Sequence, residues 1–378
     1  MLNTDISKRL YGLDILRSVA ILQVLLGHTM LYIPQVVHPY IYPFLLDGVG
    51  IFFVLSGFLI GGILIKTINK EVFNSRSLLR FWVNRWMRTL APYYIVLILV
   101  YIVSLIPGSA YDSSFIGLKT KISYLFFLQN FNWDSSGFFG ESWSLAVEEW
   151  FYLLVPLILF VLYWAYKQNQ KKSVFATILV VIIVVPLFRL YKYIDLKEFA
   201  DNQGIYYQLF RYQVLSRLDC IVYGILGSYL AYYHKNIWSK NKVLFLILGL
   251  LVLVIYKSID ENLYKIEYSS LYNLIYNVFY FPIFSIGILL TIPFLSLMKS
   301  RANVLCKLFT YISLISYSLY LLHQNVKHMI VESLSGYFGI DNGLVKLVSV
   351  WVLTIFLSTL MYLYIEKPFM DMRKKIKI

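Results

Sequence analysis

Charged residues are scarce in this sequence of 378 residues. Asp, Glu, Lys and Arg make up 14% of it, whereas hydrophobic residues make up 59% and the mean hydropathy is +0.68. Because about a quarter of an average soluble domain is charged, the composition argues against a soluble protein. Many apolar runs reach about 18 residues, the length that crosses roughly 30 Å of hydrocarbon. The sequence therefore predicts a polytopic integral membrane protein surrounded by a lipid bilayer.

Cysteine is almost absent. Cys220 and Cys306 lie in or beside apolar runs, so no disulfide framework is expected. No cleavage site of small residues follows the first apolar stretch, although two basic residues precede it as in a signal peptide. Asp14 and Arg17 also interrupt that stretch. It is therefore expected to remain in the protein as the first membrane span.

Several motifs of enzyme and binding classes are missing. The sequence has no Walker loop, no GxGxxG fingerprint, no GxSxG elbow and no HExxH motif. The histidines at 28, 38, 323 and 328 do not have the spacing of metal ligands, so we expect no metal and no tightly bound cofactor. The net charge of +14 is attributed to loops on one side of the membrane and not to nucleic-acid binding.

Ten apolar stretches predict an all-α bundle of about ten transmembrane helices. Their approximate boundaries are 13–33, 47–66, 88–107, 142–166, 173–191, 213–234, 241–258, 275–297, 307–327 and 345–366. The seventh is the most purely apolar and is expected to face lipid. The sequence has no repeat and no loop long enough for a separate domain, so residues 1–378 are expected to form a single transmembrane domain.

The positive charges predict the orientation in the membrane. With the N-terminus inside, the inner segments carry 22 lysines and arginines and the outer segments carry 10. Cytoplasmic loops of membrane proteins are enriched in Lys and Arg. Both termini are therefore expected to be cytoplasmic.

The first span carries three ionisable residues that are costly in lipid. Asp14, Arg17 and His28 fall on one face of a helix, because 11 and 14 residues are each close to a whole number of turns. Arg17 and His28 would then lie roughly 16 Å apart along the axis. An ion pair of Asp14 with Arg17 and an ordinary hydrogen bond of His28 would also explain them. The shared face favours a functional role, because ionisable groups inside membranes usually face a cavity or the bundle interior.

Two further stretches add small or basic residues. Ser56 and Gly57 stand in the middle of the second span, where small side chains allow close helix packing. Arg85 and Arg88 lie one turn apart near the predicted start of the third span. They are compatible with simple anchoring at the inner surface, or with binding of phosphate groups, which arginine contacts through two N–H groups at once.

The fourth span opens with "SWSLAVEEW". This stretch places Glu148 and Glu149 about one turn and a half after Trp143, with Ser144 between them, inside an apolar helix. A carboxylate at that depth needs a cationic partner or becomes protonated. Arg217 and Asp219, at the predicted outer membrane edge, are candidate partners of the two glutamates.

The ninth span contains "ISYSLYLLH", with Tyr320 and His323. Tyrosine is common at membrane interfaces, so the tyrosine alone is weak evidence of function. The histidine lies in an apolar helix like His28 and is a second candidate for a polar site.

Seven stretches resemble, in order, the motifs of the acyltransferase-3 family of integral membrane acyltransferases. They are "RLYGLDILRSVAILQVLLGH", "GIFFVLSGFLI", "RWMRTLAPYY", "SWSLAVEEWFYLL", "RLDCIVYG", "ISYSLYLLH" and "IEKP". The resemblance covers about residues 9 to 369, and the family's arginine-x10-histidine motif falls on Arg17 and His28. It implies ten helices in the bacterial cytoplasmic membrane, a cytoplasmic acyl-CoA donor and O-acylation of an envelope glycan. Acetyl-CoA is the expected co-substrate.

The sequence departs from the family pattern in two ways. Some members carry an esterase-like domain after the tenth span; none is expected here, so a second acyl carrier would be a separate extracytoplasmic protein. Ala91 replaces the larger apolar residue expected before Pro92.

The resemblance suggests a role for each polar residue of the spans. Arg17, Arg85 and Arg88, with Asp14 beside them, are expected to hold the CoA phosphates. His28 is the expected general base, because the pKa of imidazole suits proton transfer near neutral pH.

Glu148 is expected to orient the His28 ring, with Arg17 completing the catalytic set. The expected acceptor side comprises Trp143, Ser144, Glu149, Arg217, Asp219, Tyr320 and His323. A covalent acyl-histidine intermediate is left open, as are succinyl in place of acetyl and the identity of the glycan.

Two other classes of function compete with this hypothesis. An ion- or proton-coupled transporter would use Arg17, His28 and Glu148 as a relay, although no internal symmetry supports it. The second competing class is a non-catalytic protein that assists polysaccharide export. Transfer of label from acetyl-CoA to a glycan distinguishes the enzyme from both.

Overall fold

The computed structural model describes residues 10–106, 117–133, 137–196, 209–262, 274–298 and 303–372. All regular structure in these segments is helical, with ten long helices. We label them α1 Tyr11–Thr29, α2 Gly48–Lys70, α3 Ser75–Ser104, α4 Ser142–Ala165, α5 Gln170–Asp195, α6 Leu218–Tyr233, α7 Lys242–Asn262, α8 Tyr280–Ser296, α9 Val304–Asn325 and α10 Gly343–Met361.

Shorter helical segments connect or extend these ten. Single α-turns or short α-helices occur at His38–Ile41, Leu118–Ser123, Lys235–Lys240, Ser333–Phe338 and Lys367–Met372. The 3₁₀ turns are Met30–Tyr32, Gln35–Val37, Tyr42–Phe44 and Tyr124–Phe126. Three π-helical turns, Ile275–Phe279, Val326–Glu332 and Tyr362–Glu366, continue directly into or out of α8, α9 and α10.

The helices confirm the prediction of an all-α, multi-pass membrane protein. Within the described segments, nine helices are long and apolar enough to cross a membrane. The remaining long helix, α6, has 16 residues and begins at Leu218, five residues after the predicted start of the sixth span. The cytoplasmic location of both termini remains a prediction.

Helix α3 begins well before its predicted start at residue 88. The side chain of Asn74 accepts a hydrogen bond from the backbone of Ser77 and caps the helix, which then runs for 30 residues from Ser75. The polar first turns do not have the apolar character that identifies a membrane span. Arg85 and Arg88 therefore lie well inside a helix and not at its start.

Helix α7 lies on the outside of the bundle, as predicted for the most apolar span. Leu250, Leu251 and Val254 are each more than half exposed. In a membrane protein such side chains contact lipid, so α7 lies at the periphery of the bundle and contributes little to its core.

Helices α2 and α6 pack unusually closely because glycines face each other. A Cβ atom added to Gly57 would lie 1.7 Å from the carbonyl oxygen of Ile221, and one added to Gly224 would lie 2.0 Å from that of Val54. Neither position has room for a side chain. The predicted packing role of the small residue at position 57 is confirmed, and it brings α2 and α6 into backbone contact.

We expect Gly57→Ala to destabilise the protein by about 1–3 kcal/mol, since the added methyl group must push α2 away from α6. The measurement is thermal unfolding of purified protein in detergent. Gly336→Ala is the control, because an added Cβ there meets nothing within 4 Å. Equal stability of the two variants would contradict the close packing of α2 and α6.

Candidate active site

A cavity of about 550 Å³ lies among α1, α2, α3, α4, α6 and α9. We call it the central cavity. It extends from Leu10, at the beginning of α1, to Tyr320, one turn before His323 on α9. Of the residues predicted for the site, Arg17, Arg85, Arg88, Ser144, Glu148 and Tyr320 line it.

Arg17 lines the end of the central cavity near the start of α1 and belongs to a linked set of polar side chains behind it. Arg17 donates a hydrogen bond of 2.9 Å to Ser313 Oγ on α9, and Ser313 donates one of 2.7 Å to Asp14 Oδ1. Arg17 Nη1 also lies 3.4 Å from Asp14 Oδ1. The predicted pairing of Asp14 with Arg17 is present, and through Ser313 it ties α1 to α9.

More cationic side chains line the same cavity. Arg88 and Lys66 line it on α3 and α2. Arg88 interacts electrostatically with Glu366, which accepts a hydrogen bond of 3.0 Å from Ser318. Arg17 also interacts electrostatically with Glu366, so this carboxylate lies near both arginines.

Glu148 and Arg85 meet at Tyr152, one turn further along α4. The Tyr152 hydroxyl donates a hydrogen bond of 2.7 Å to Glu148 Oε2, and the Arg85 guanidinium lies 4.2 Å from the centre of the Tyr152 ring and donates to its hydroxyl oxygen. Ser56 on α2 donates to Glu148 Oε1 over 3.3 Å. The hydrogen bonds of Glu148 thus join α2 to α4 and do not reach His28, the contact expected from the sequence.

His28 instead meets a second histidine. His28 Nδ1 lies 3.0 Å from His323 Nε2, and the two ring centres are 4.8 Å apart. The His323 ring is buried, whereas His28 is exposed near the end of α1. His323 therefore holds the His28 ring in the manner predicted for Glu148.

Backbone carbonyl groups determine which ring nitrogens carry hydrogen. His323 Nδ1 lies 2.7 Å from the carbonyl oxygen of Tyr320, and His28 Nδ1 lies 3.0 Å from that of Val24. A carbonyl oxygen can only accept, so both Nδ1 atoms carry hydrogen. The single hydrogen on His28 Nδ1 is then shared between the Val24 carbonyl oxygen and His323 Nε2, and Nε2 of a neutral His28 retains a lone pair. This is the arrangement that a general base requires.

Tyr320 links the central cavity to the histidine pair. Its hydroxyl donates to the carbonyl oxygen of Glu141 over 2.9 Å and lies 2.6 Å from Ser144 Oγ, while its ring centre is 5.6 Å from that of His323. The nearby Glu141 carboxylate accepts a hydrogen bond of 2.7 Å from Asn325. Burial raises the pKa of Glu141 to about 8, so this carboxyl is mostly protonated at neutral pH and adds little charge.

Arg217 and Trp143 lie together in an aromatic enclosure outside the central cavity. The Arg217 guanidinium lies 3.9 Å from the centre of the Phe281 ring and 5.9 Å from that of Trp143. Its Nη2 is 3.5 Å from Asp47, and its Nε and Nη1 are buried with no hydrogen-bond partner among the described residues. Arg217 thus pairs with Asp47, and not with the glutamates of α4.

Asp219 is paired with Arg189, a residue that the sequence did not single out. Arg189 donates two parallel hydrogen bonds of 2.8 Å and 2.6 Å to the Asp219 carboxylate, and both side chains are completely buried. Arg189 also donates to the carbonyl oxygens of Ser216 and Val278. This ion pair joins α5, α6 and the π-turn before α8, so Asp219 supports the bundle instead of lining the acceptor side.

Glu149 faces away from the central cavity. It lines a separate apolar cavity of about 440 Å³ together with Trp86, Tyr94 and Trp150. Its Oε2 atom is buried with no hydrogen-bond partner among the described residues. The two adjacent glutamates of α4 therefore have different surroundings, because successive helical positions point about 100° apart.

Three residues of the site, Lys66, Tyr152 and Ser313, were missed from the sequence, and so was the contact of His323 with His28. Tyr152 follows Glu148 by four residues, a spacing that places two side chains together on a helix, so it could have been found. The others depend on which helices become neighbours. In the described segments, no cluster of three His, Cys, Asp or Glu residues could hold a metal ion.

The helical membrane fold, with a cavity to which arginines and other polar side chains contribute, places the protein among integral membrane proteins with an internal site. The chain matches the model of the acyltransferase domain family (Acyl_transf_3) over residues 10–363. It therefore belongs to this family and is a membrane acyltransferase. The resemblance seen in the motifs is thereby confirmed.

Two curated relatives illustrate the match. An uncharacterised Haemophilus influenzae protein is 34% identical over 205 residues, which cover 51% of this chain and 76% of that protein. The peptidoglycan O-acetyltransferase OatA of Listeria monocytogenes is 34% identical over 137 residues, which cover 33% of this chain and only 21% of OatA. No solved structure matches the chain.

Removal of the Asp219 carboxylate is expected to destabilise the fold. Asp219→Ala leaves the buried Arg189 charge without its partner, a change that costs about 3–5 kcal/mol. The double variant Arg189→Met/Asp219→Leu is expected to regain much of this loss, because both charges are removed. The measurement is unfolding in detergent. If the Asp219→Ala protein is stable but has a raised KM for the acceptor, Asp219 contributes to acceptor binding and not to stability.

Proposed function

We propose that the protein is an O-acetyltransferase that carries an acetyl group from acetyl-CoA, on the cytoplasmic side, to a hydroxyl group of an envelope glycan on the other side. The observation that carries this proposal is the central cavity. It has arginines at one end and Tyr320 at the other. Neither histidine lines the cavity itself, but the Tyr320 ring packs against His323, the partner of His28.

The basic end of the central cavity suits the CoA phosphates. Arg17, Arg88 and Lys66 line it within reach of the start of α1, and Arg85 lines its wall beside Glu148. Guanidinium groups bind phosphate through paired N–H donors. Asp14 and Ser313 would position Arg17 for this contact without touching the donor. The lysine-rich inner loops support placing this end in the cytoplasm.

His28 Nε2 is proposed to take the proton of the acceptor hydroxyl. As the O–H bond breaks, the oxygen forms a bond to the thioester carbonyl carbon, and the C–S bond breaks with the electron pair leaving on the CoA sulfur. The proton on His28 then neutralises the CoA thiolate. His323 would keep His28 in the tautomer that can act as a base, and its role replaces the one expected of Glu148.

The class of acceptor that we propose is taken from the relative OatA. OatA acts, by its name, on peptidoglycan, and peptidoglycan fragments are the first acceptors to test here. An acyl-histidine intermediate, formed and then attacked by the acceptor, uses the same residues. The acetyl group could also pass to a separate extracytoplasmic protein before it reaches the glycan. The experiment below distinguishes this route from direct transfer. The family assignment favours an enzyme over the transporter relay.

The test is transfer of radiolabel from acetyl-CoA to peptidoglycan fragments by the purified protein in lipid nanodiscs. Label in the glycan supports the proposal. Label released only as acetate would show that the protein uses the donor but needs a second carrier. Use of no acetyl-CoA at all would contradict the proposal.

His28→Ala is expected to lower kcat by about 100-fold or more, since a positioned base contributes a factor of that order. His323→Gln is expected to lower kcat by about tenfold, as the orienting hydrogen bond weakens. The readout is the initial rate of acetyl transfer. His38→Ala is the control, since His38 Nε2 hydrogen-bonds to the backbone carbonyls of Met30 and Ile33 and has no part in the proposed transfer. Full transfer by His28→Ala would exclude this mechanism.

Arg88→Ala is expected to raise the KM for acetyl-CoA about tenfold, because a charge-assisted hydrogen bond is lost. The KM for acetyl-pantetheine, which has no nucleotide phosphates, is expected to stay the same. Arg80→Ala on the same helix is the control, since Arg80 is exposed and paired with Glu71. Equal effects of Arg88→Ala on both donors would mean that Arg88 does not bind phosphate.

A further inference from the structure

A polar cluster lies just beyond the histidine pair and has no part in the mechanism above. Helix α9 continues after Asn325 as the π-turn Val326–Glu332. Such turns are rare and frequently occur at functional sites, because they change the direction in which side chains project. This one carries Lys327, His328 and Glu332, and the 3₁₀ turn after α1 adds Tyr32.

The cluster is held together by two hydrogen bonds to one carboxylate. His328 Nδ1 lies 2.6 Å from Glu332 Oε2, and the Tyr32 hydroxyl donates to Glu332 Oε1 over 2.9 Å. The side chains of His328 and Glu332 are each 37% exposed. The pair is therefore fixed in position and still open to a ligand.

The hydrogen bonds determine what the cluster offers to a ligand. A carboxylate can only accept, so His328 Nδ1 carries hydrogen and Nε2 of the neutral ring has a lone pair. Lys327 is buried and interacts electrostatically with Glu332, which balances the carboxylate charge. The atom left to bind a ligand is thus His328 Nε2, an acceptor beside a carboxylate whose charge Lys327 balances. A neutral acceptor of this kind matches the O–H donor of a hydroxyl group better than an anion.

His28 has the same arrangement at the same end of the bundle. Its Nδ1 also carries hydrogen, its Nε2 also has a lone pair, and it interacts electrostatically with both His328 and Lys327. His328 follows His323, the residue that contacts His28, by five residues, about one π-helical turn, and Tyr32, four residues after His28, contacts Glu332. The two imidazoles therefore lie on neighbouring turns of the contact between α1 and the extension of α9. This placement suits a molecule with two neighbouring hydroxyl groups, one for each ring.

We propose that His328 binds a second hydroxyl group of the acceptor, next to the hydroxyl that is acetylated at His28. The site thereby selects polyols, such as sugar rings, over simple alcohols. Glu332 and Tyr32 are positioning residues that hold His328. This inference rests on the proposed acetyl transfer and adds the acceptor contact that the mechanism lacks.

The experiment compares two acceptors that differ by one hydroxyl group, trans-1,2-cyclohexanediol and cyclohexanol, with labelled acetyl-CoA and protein in nanodiscs. The wild type is expected to have a KM about five- to tenfold lower for the diol, the worth of one hydrogen bond. His328→Ala is expected to raise the KM for the diol to that for cyclohexanol and to leave the kinetics with cyclohexanol unchanged.

Two further variants test the positioning. Glu332→Gln and Tyr32→Phe are expected to lose part of the preference for the diol, again with unchanged cyclohexanol kinetics. His328→Gln keeps an acceptor oxygen and is expected to retain part of it. Acetylation of cyclohexanol by each variant also reports that the protein is folded. His234→Ala, with no part in the site, is expected to behave as the wild type.

Two results would overturn the inference. Equal wild-type KM values for the two alcohols would mean that no second hydroxyl is bound. Equal increases of both KM values in His328→Ala would mean that His328 supports the fold and not the acceptor. Absence of transfer to either alcohol and to glycan in the wild type would instead overturn the proposed function, and this inference with it.

Discussion

Helices α1 and α9 run side by side in the same direction and meet through polar contacts at two levels. At one level Arg17 and Asp14 share Ser313, and at the other His28 meets His323. The 11 residues from Arg17 to His28 correspond to roughly 16 Å of helix, close to the 10 residues from Ser313 to His323. This matched spacing fixes the distance between the basic end and the histidine end, and the central cavity lies beside it.

The charged residues inside this apolar bundle fall into two groups: ion pairs that stabilise the fold, and cations that line the central cavity. Arg189 with Asp219, and Arg217 with Asp47, are buried ion pairs away from the central cavity. Removing one partner of such a pair is costly, so each pair helps define which helices are neighbours. The cations of the central cavity are different, because they border an open volume that a ligand could fill.

The local part of the site could be predicted from the sequence. The helical period placed Asp14, Arg17 and His28 on one face, and all three contact α9 in the structure. The ten helices followed from the apolar runs, apart from the early start of α3 and the late start of α6. Hydropathy could not show either end, since α3 begins with polar turns and α6 follows a loop.

The partners of the buried charges could not be predicted in the same way. Glu148 was expected at His28, but its hydrogen bonds go to Ser56 and Tyr152. The sequence offered several cations for each carboxylate, and helical spacing says nothing about which helices become neighbours. Only the contact of Glu148 with Tyr152 could have been predicted, since Tyr152 lies four residues from Glu148 on the same helix.

The most direct measurement is a cryo-electron microscopy structure of the protein in nanodiscs with a thioether analogue of acetyl-CoA that cannot react. We expect the phosphates at Arg17 and Arg88 and the pantetheine arm in the central cavity, with its acyl end towards Tyr320 and the histidine pair. An analogue bound elsewhere, or a central cavity occupied by lipid while the analogue is bound, would contradict this expectation.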